Sequence, residues 1–298
     1  MIQPVNFTFN VETAVNNAFQ QSQEDQHAQE KALNEFNSFV KLLRDNGIDV
    51  TVIRDTPEPF TPDSIFPNNW ISFHEQGLIF LYPMYAPNRR QERKSSTIQT
   101  ITDKFNIVKT IDLTAYEASD CFLEGTGSMV LDRENKIAYA CLSPRTDKKL
   151  VKVFCDQTGY KAVVFDAVDE KGQSIYHTNV MMCVADKFVV ICLDSVAKRD
   201  EKQQVTNAIK DSSKDIIEIS LEQMNHFAGN MLQVENVEAE KILVMSSQAF
   251  DSLTPKQIKK LESFNRILHS PLTTIETNGG GSARCMMAEV FLPEKTIE

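Results

Sequence analysis

The chain has 298 residues, of which 42% are hydrophobic and 24% charged, and its formal net charge is −10 with a pI of about 5.1. Such a composition is typical of a globular protein with a large buried core. The acidic balance argues against a basic surface of the kind that binds nucleic acid or an anionic membrane. A small-molecule substrate is therefore the expected partner, with no nucleic acid and no membrane.

Along the chain, one arrangement of two strands, a helix and a third strand is predicted four times. Apolar runs separated by turn residues predict the strands, and polar stretches with helical periodicity predict the helices. The strands are expected at residues 79–82, 107–111, 137–142, 162–165, 180–185, 188–193, 216–220, 231–234 and 242–245. The helices are expected within 88–102, 146–155 and 197–210, and after the capping pair Thr254-Pro255.

A small polar residue stands directly before the first strand of each unit. These residues are Asn69, Ser128, Asn179, Asn230 and Cys285, separated by 59, 51, 51 and 55 positions. A period of this length is typical of propellers and solenoids, because one unit alone leaves an apolar face in water. If the units close around an axis, these positions meet at one spot, which we interpret as an active site.

The fifth unit is predicted to join the two ends of the chain. Its inner strand is expected at 285–291, and its other parts are a strand over 5–9, a helix from about Ser22 to Asp45 and a strand over 50–53. Joining the ends would close the ring and remove an exposed sheet edge. The predicted fold class is α/β, a five-bladed α/β propeller of ββαβ repeats with pseudo-five-fold symmetry that forms a single domain over residues 1–298.

The N-terminal residues lack the basic start and apolar stretch of a signal peptide, and no segment is apolar over the length of a membrane span. A cytoplasmic location is therefore expected. The six cysteines are scattered through a chain long enough to fold without covalent staples, so we expect reduced thiols.

Cys285 is the candidate nucleophile because it follows the glycine run of Asn278-Gly-Gly-Gly-Ser-Ala-Arg, which lets a backbone run close to a ligand. The alternative is an ordinary buried cysteine after a flexible turn. A nucleophilic thiol needs a base or cation nearby. His177, two residues before Asn179, is placed for that role, with His226 as the second choice. A loop histidine without a catalytic role is the alternative for His177.

Glu124 enters the second unit at an apolar spot, where an unpaired acid would be costly. A carboxylate bound to one imidazole nitrogen fixes the tautomer of the ring, so Glu124 and His177 are a candidate pair. The alternative is a solvated acid in a loop. No Cys-x-x-Cys or His-Glu-x-x-His occurs, so no metal and no cofactor are expected. A phosphate loop over 125–128 is a weak alternative, because the remaining elements of such motifs are missing.

Five motifs resemble the guanidino-group modifying superfamily, the pentein enzymes that include arginine deiminase, dimethylarginine dimethylaminohydrolase and the amidinotransferases. The resemblance covers nearly the whole chain, and the pattern of motifs is most similar to that of the branch named citrulline utilization hydrolase. The motifs are Phe66-Pro-Asn-Asn-Trp, Glu124-Gly-Thr-Gly-Ser, Leu142-Ser-Pro-Arg-Thr, Tyr176-His-Thr-Asn and Asn278-Gly-Gly-Gly-Ser-Ala-Arg-Cys.

The resemblance implies a role for each candidate. Cys285 would be the nucleophile, His177 the general acid and base, and Glu124 its carboxylate partner. Arg145 matches the arginine that holds the carboxylate of the substrate, a task that suits a planar fork of donors. Arg90 is a looser match for the same role, and a surface ion pair is the alternative for both arginines.

The chain departs from the guanidinium-binding members at two positions where they carry carboxylates, Asn69 and Asn179. A guanidinium offers only donors, whereas a ureido group offers a carbonyl oxygen as well as N–H donors, so amides favour a ureido substrate. Asp63 and Asn68 are close enough in sequence to serve in the same pocket.

The sequence therefore predicts a cysteine-dependent hydrolase of carbon–nitrogen bonds that converts citrulline to ornithine, carbon dioxide and ammonia. The alternatives left open are a deiminase or dihydrolase of arginine or an N-modified arginine, an amidinotransferase, and a catalytically inactive binding module. A homodimer is a possible assembly.

Overall fold

The computed structural model describes residues 1–21 and 27–295. Within these residues, four sheets have three strands each, and in every one an antiparallel hairpin is followed by a third strand parallel to the second. The strands are β1 (Ile2–Gln3), β2 (Ile53–Arg54), β3 (Ile71–His74), β4 (Leu78–Leu81), β5 (Lys109–Asp112), β6 (Val130–Asp132), β7 (Ile137–Leu142), β8 (Lys161–Asp166), β9 (Met182–Val184), β10 (Phe188–Ile191), β11 (Asp215–Glu218), β12 (Leu232–Glu235), β13 (Lys241–Ser246) and β14 (Arg266–Ser270).

Helices connect the second and third strands of each three-stranded sheet, and further helices lie in the connections from one sheet to the next. They are α1 (Val11–Ala14), α2 (Ala28–Asp45), α3 (Ser95–Lys104), α4 (Gly125–Ser128), α5 (Lys148–Thr158), α6 (Thr178–Met181), α7 (Arg199–Asp211), α8 (Leu221–Asn225), α9 (Ser247–Ser252), α10 (Pro255–Glu262) and α11 (Thr273–Gly279). The predicted order of two strands, a helix and a third strand is confirmed, with α3, α5, α7 and α10 in the helix position. No described helix is long and apolar enough to cross a bilayer.

The inner strands begin later than predicted. The residues just before β6 and β9 form the short helices α4 and α6, so the chain turns once before each strand starts. The hydroxyl of Thr178 joins the two turns, donating to the backbone oxygen of Ser128 at 2.6 Å and accepting from the backbone N–H of Cys141 at 2.8 Å. These turns hold polar residues at the ends of buried strands, where an extended chain would leave backbone groups unpaired.

The fifth unit differs from the prediction in three places. The strand predicted over 50–53 is shorter and begins later, as β2 (Ile53–Arg54). The predicted strand over 5–9 is absent, and the short strand β1 instead pairs in parallel with β2 at the other end of α2. Pro4 follows β1 directly and has no N–H to continue the ladder. The beginning of the predicted helix, 22–26, lies outside the described residues.

The predicted inner strand over 285–291 is also wrong. Cys285 lies in a turn over 283–286, in which its N–H donates to the backbone oxygen of Ser282 at 2.9 Å and the N–H of Met286 donates to that of Ala283 at 3.3 Å. A backbone bonded to itself at this spacing cannot pair with a neighbouring strand. The prediction that residues 1–298 form a single domain stays a prediction.

Helix α2 positions the segment that carries Cys285. Its buried residues Ala32, Phe36, Phe39, Val40 and Leu43 recur at helical spacing and cover one face. This face packs against α11. Two backbone N–H groups in the first turn of α11, those of Thr274 and Ile275, donate to the Glu35 carboxylate at 2.8 and 3.0 Å. The end of α11 leads directly into the glycine run before Cys285, so the packing of α2 fixes where the thiol lies.

Candidate active site

One buried cavity brings together residues from distant parts of the chain. Its volume is about 10 Å³, and among the side chains that line it are five of the predicted site residues: Asp63, Asn69, Arg145, His177 and Cys285. All five are at most 3% exposed. The thiol and the imidazole predicted to act together therefore line the same cavity.

Two amides surround the Cys285 sulfur. The Nδ2 of Asn179 lies 3.4 Å from Sγ, and the Nδ2 of Asn230 lies 3.3 Å from it. The orientation of the Asn230 amide is fixed because its Oδ1 accepts from the backbone N–H of Arg284 at 3.0 Å. N–H groups that donate to sulfur stabilise the thiolate relative to the thiol. The five-fold register predicted that Asn230 lies at this spot, but it did not assign a role to this residue.

The glycine run approaches the cavity closely. Gly280 has a φ of +63°, and a Cβ there would lie 2.4 Å from the Nδ2 of Asn17. Its backbone oxygen accepts from the hydroxyl of Tyr176 at 2.5 Å and from Asn17 at 3.3 Å. Only glycine combines this backbone conformation with the space left by Asn17.

His177 and Glu124 form a fully buried pair. The Nε2–H of His177 donates to Oε2 of Glu124 at 2.8 Å, and Oε1 of Glu124 accepts from the backbone N–H of Tyr85 at 2.9 Å. Burial alone would raise the pKa of Glu124, but Arg145, the bond from His177 and Arg89 together lower it to about 2. Burial lowers the pKa of His177 to about 4 against the opposing effect of Glu124. At neutral pH the pair is thus a carboxylate and a neutral imidazole with Nδ1 free to accept a proton.

Gly127 gives a direct test of this geometry. A Cβ at this position would lie 2.4 Å from the Nδ2 of Asn69 and 2.7 Å from the Nδ1 of His177. Because both side chains are buried and cannot move aside freely, we expect Gly127→Ala to lower kcat/KM by about 100-fold, as small misplacements of catalytic groups do. Steady-state kinetics and thermal unfolding would check this.

Gly172→Ala is the comparison for that variant, since its Cβ would meet nothing within 4 Å. An alanine at a φ of +75° costs some stability, but its Cβ contacts no cavity residue. Unchanged kinetics in Gly127→Ala would contradict the arrangement of Asn69 and His177 described above.

Arg145 lines the cavity, but its guanidinium is occupied by the N-terminal segment. Nε and Nη2 donate to Oδ1 of Asn16 at 2.8 and 2.5 Å, and Nη2 also donates to the backbone oxygen of Thr13 at 2.7 Å. Its Nη1 lies 3.6 Å from Glu124 Oε2. In this state Arg145 stabilises the Glu124 charge and holds the segment that covers the cavity.

The N-terminal segment was not predicted to reach the site. Thr13 and Asn17 line the cavity, and the side-chain amide of Gln20 donates to the backbone oxygen of Asn278 at 2.8 Å. The sequence of a polar segment without regular periodicity does not indicate which part of the protein the segment will pack against. Only the packing of both chain ends in the fifth unit brings them here.

The structure does not place Arg90 in the cavity, contrary to the looser match. Its Nε donates to the backbone oxygen of Met84 at 3.0 Å and lies 3.7 Å from the Glu117 carboxylate. The adjacent Arg89 lines the cavity instead. Both arginines lie in a 3-10 helix over 87–92, in which neighbouring side chains point in different directions, so adjacency in sequence could not decide between them.

The other two candidates lie in different surroundings. Asp63 faces the cavity, where its Oδ2 accepts from Asn10 at 2.8 Å and from Thr13 at 3.1 Å, and burial raises its pKa. Asn68 is buried but is not part of the cavity lining. Among the described residues, no group of three or more His, Cys, Asp or Glu side chains is arranged to hold a metal ion.

Comparisons with known proteins agree with this fold. The N-terminal domain of ArgZ, an arginine dihydrolase of cyanobacteria bound to product, is 18% identical, with 98% of each chain covered and a TM-score of 0.76. Unliganded AgrE is 18% identical with a TM-score of 0.76, and the match covers 99% of this chain but 39% of AgrE. A dimethylarginine dimethylaminohydrolase adduct with S-methyl-L-thiocitrulline is 16% identical, with 96% of each chain covered and a TM-score of 0.63.

A search of curated proteins finds no match. The family model described as eukaryotic N,N-dimethylarginine dimethylhydrolase, however, matches residues 3–292. The match covers nearly the whole chain, and the predicted superfamily and fold class are confirmed. The chain therefore belongs to the N,N-dimethylarginine dimethylhydrolase family of the pentein guanidino-group modifying superfamily, and it is a hydrolase that acts on carbon–nitrogen bonds.

Proposed function

We propose that this protein is a cysteine-dependent hydrolase of the ureido or guanidino carbon of an arginine-related amino acid, with citrulline as the favoured substrate. The products from citrulline are ornithine, carbon dioxide and ammonia. The observation that carries the proposal is a cavity lined by Asn69, His177 and Cys285. The amides of Asn179 and Asn230 contact the thiol, and the Glu124 carboxylate binds His177.

The first half of the reaction forms a bond to sulfur. His177 takes the proton of Cys285, and the thiolate attacks the ureido carbon to give a tetrahedral species. The bond from that carbon to the side-chain nitrogen of ornithine then breaks, and His177 returns its proton to that nitrogen. Ornithine leaves, and a carbamoyl group remains on the sulfur.

The second half releases the enzyme. His177 deprotonates a water molecule, the hydroxide attacks the carbamoyl carbon, and the carbon–sulfur bond breaks to restore Cys285. The carbamic acid formed decomposes to carbon dioxide and ammonia, so one water is consumed for each citrulline. Glu124 keeps Nδ1 of His177 available for both proton transfers by occupying Nε2.

Amides suit a ureido head group. The Oδ1 of Asn179 and the Nδ2 of Asn69 are both buried and have no protein partner. The first can accept an N–H of the substrate and the second can donate to its carbonyl oxygen, and neither brings an unpaired charge into the cavity. Arg145 can receive the substrate carboxylate when it releases Asn16, because a carboxylate matches its fork of donors better than one amide oxygen does.

Asp63 favours a second candidate, hydrolysis of arginine or an N-modified arginine. Its carboxyl group lines the same cavity, and Oδ1 has no protein partner. A carboxylate there would attract a cationic guanidinium. Arg89, whose Nε lies 4.0 Å from Asp63, already offsets part of that charge, which is why we place citrulline first.

A substrate panel tests the proposal. We expect citrulline to give the highest kcat/KM in parallel assays with arginine, agmatine, succinylarginine and N,N-dimethylarginine, with ammonia and amine products followed separately. Mass spectrometry of the quenched protein should find one carbamoyl group on Cys285. An adduct that retains the ornithine chain would mean that ammonia leaves first. Turnover of arginine without turnover of citrulline would contradict the ureido preference.

A further inference from the structure

Arg89 and Glu92 form a buried ion pair next to the active site. Nε of Arg89 donates to Oε1 of Glu92 at 2.8 Å, and Nη2 donates to Oε2 at 3.0 Å. Nη2 also approaches the backbone oxygen of Phe66 at 3.2 Å. Both side chains are at most 3% exposed. This two-point contact holds the guanidinium plane in one orientation, which a single point charge would not do.

The ion pair decides which way the Asn69 amide faces. Nη1 of Arg89 lies 2.8 Å from the Asn69 side chain, and a guanidinium has donors only, so Asn69 must present its Oδ1 to it. The Nδ2 of Asn69 therefore faces the opposite way. It has no protein partner. Like Nδ1 of His177, it lies next to Gly127, in the space that a side chain at that position would occupy.

We propose that Arg89 and Glu92 are positioning residues that lock the Asn69 amide with its N–H2 group toward the reacting carbon, and that this orientation selects a substrate head with an acceptor oxygen. The proposal rests on the proposed function, because it names what makes the site prefer a ureido group. With the amide reversed, Asn69 would present an oxygen, which suits the N–H groups of a guanidinium equally well. Selectivity thus resides in the pair that holds the amide, as well as in Asn69 itself.

The test measures a ratio of substrates. We expect Arg89→Met to lower the ratio of kcat/KM for citrulline to that for arginine by about 10-fold, the effect of one misdirected hydrogen bond in a buried site. Glu92→Gln keeps the shape of the side chain and removes the charge, so we expect a smaller shift in the same direction. A variant that is merely less well folded lowers both rates together and leaves the ratio unchanged.

Arg93→Met is the matched control. Arg93 also pairs with a carboxylate, that of Glu117, at 2.8 Å, but it is not part of the cavity lining. We expect the ratio of kcat/KM for citrulline to that for arginine to be the same in Arg93→Met as in the wild-type protein.

The Asn69→Ala background separates orientation from other effects of the ion pair. Once the amide is gone, Arg89→Met has nothing to misdirect, so the ratio should not change further. A ratio that shifts equally with and without Asn69, or does not shift in Arg89→Met, would overturn the proposal. These outcomes concern changes among variants, whereas the proposed function is decided by the unchanged protein on the substrate panel, so the two can fail separately.

If Arg89→Met does not fold, the same comparison is made with Glu92→Gln and with binding instead of turnover. Calorimetric titration of the Cys285→Ala protein with citrulline and arginine gives the ratio of the two Kd values without chemistry. Adding Glu92→Gln to that protein should weaken citrulline binding relative to arginine binding. An unchanged ratio of Kd values would reject the positioning role.

Discussion

Cys285→Ala should abolish turnover, lowering kcat by at least about four orders of magnitude, because no other group can form the covalent bond to the substrate carbon. Cys285→Ser should be nearly as inactive, since an alcohol is much harder to deprotonate than a thiol. The thiol is 3% exposed and packs among apolar residues, so the change to alanine should leave the fold intact. Assays of ammonia and ornithine with thermal unfolding would measure both effects.

Cys155→Ala is the matched control for the nucleophile. Cys155 is also a buried free cysteine, but it lies in α5, and burial raises its pKa to about 11. We expect full activity from this variant. An amidine electrophile should label Cys285 and leave Cys155 unmodified, because the reactive species is the thiolate. Activity in purified Cys285→Ala protein would reject covalent catalysis by this residue.

The register of the repeat predicted the centre of the site better than it predicted the strands. A polar residue at the entry of each unit is recognisable because it interrupts an apolar run, and Asn69, Asn179 and Cys285 all lie at the cavity or in contact with the thiol. The same reasoning predicted a strand at 285–291 that does not form. A strand requires a partner, and the partner would have to come from the opposite end of the chain, about which a local pattern carries no information.

Sequence reasoning missed residues of the site for two physical reasons. Thr13 and Asn17 line the cavity, and Gln20 binds Asn278. These contacts join residues more than 100 positions apart, as does the bond from Arg145 to Thr13. Whether Arg89 or Arg90 lines the cavity depends on the direction in which each side chain points from the same helical turn. The packing of a distant segment on the site and the direction of a single side chain produce no periodic pattern in the sequence. Burial of a repeated strand does, because its apolar residues recur at regular spacing.

Glu124→Gln should lower kcat/KM by about 100 to 10,000-fold with little change in shape. Oε1 of Glu124 accepts from the backbone N–H of Tyr85, so the oxygen of the glutamine amide must occupy that position. Its NH2 group then faces Nε2 of His177 and donates to it. The proton of the imidazole must move to Nδ1, and the nitrogen that should accept a proton during the reaction is blocked.

Glu117→Gln is the control for this second variant. Glu117 also accepts a backbone N–H, that of Met84 at 2.9 Å, and it also pairs with arginine, but it lies outside the cavity lining. We expect nearly full activity from Glu117→Gln. Nitrogen-15 NMR of labelled histidine should find the proton of His177 on Nε2 in the unchanged protein and on Nδ1 in Glu124→Gln. An active Glu124→Gln protein with the proton still on Nε2 would mean that the carboxylate does not control the tautomer, and the division of roles between Glu124 and His177 would have to be abandoned.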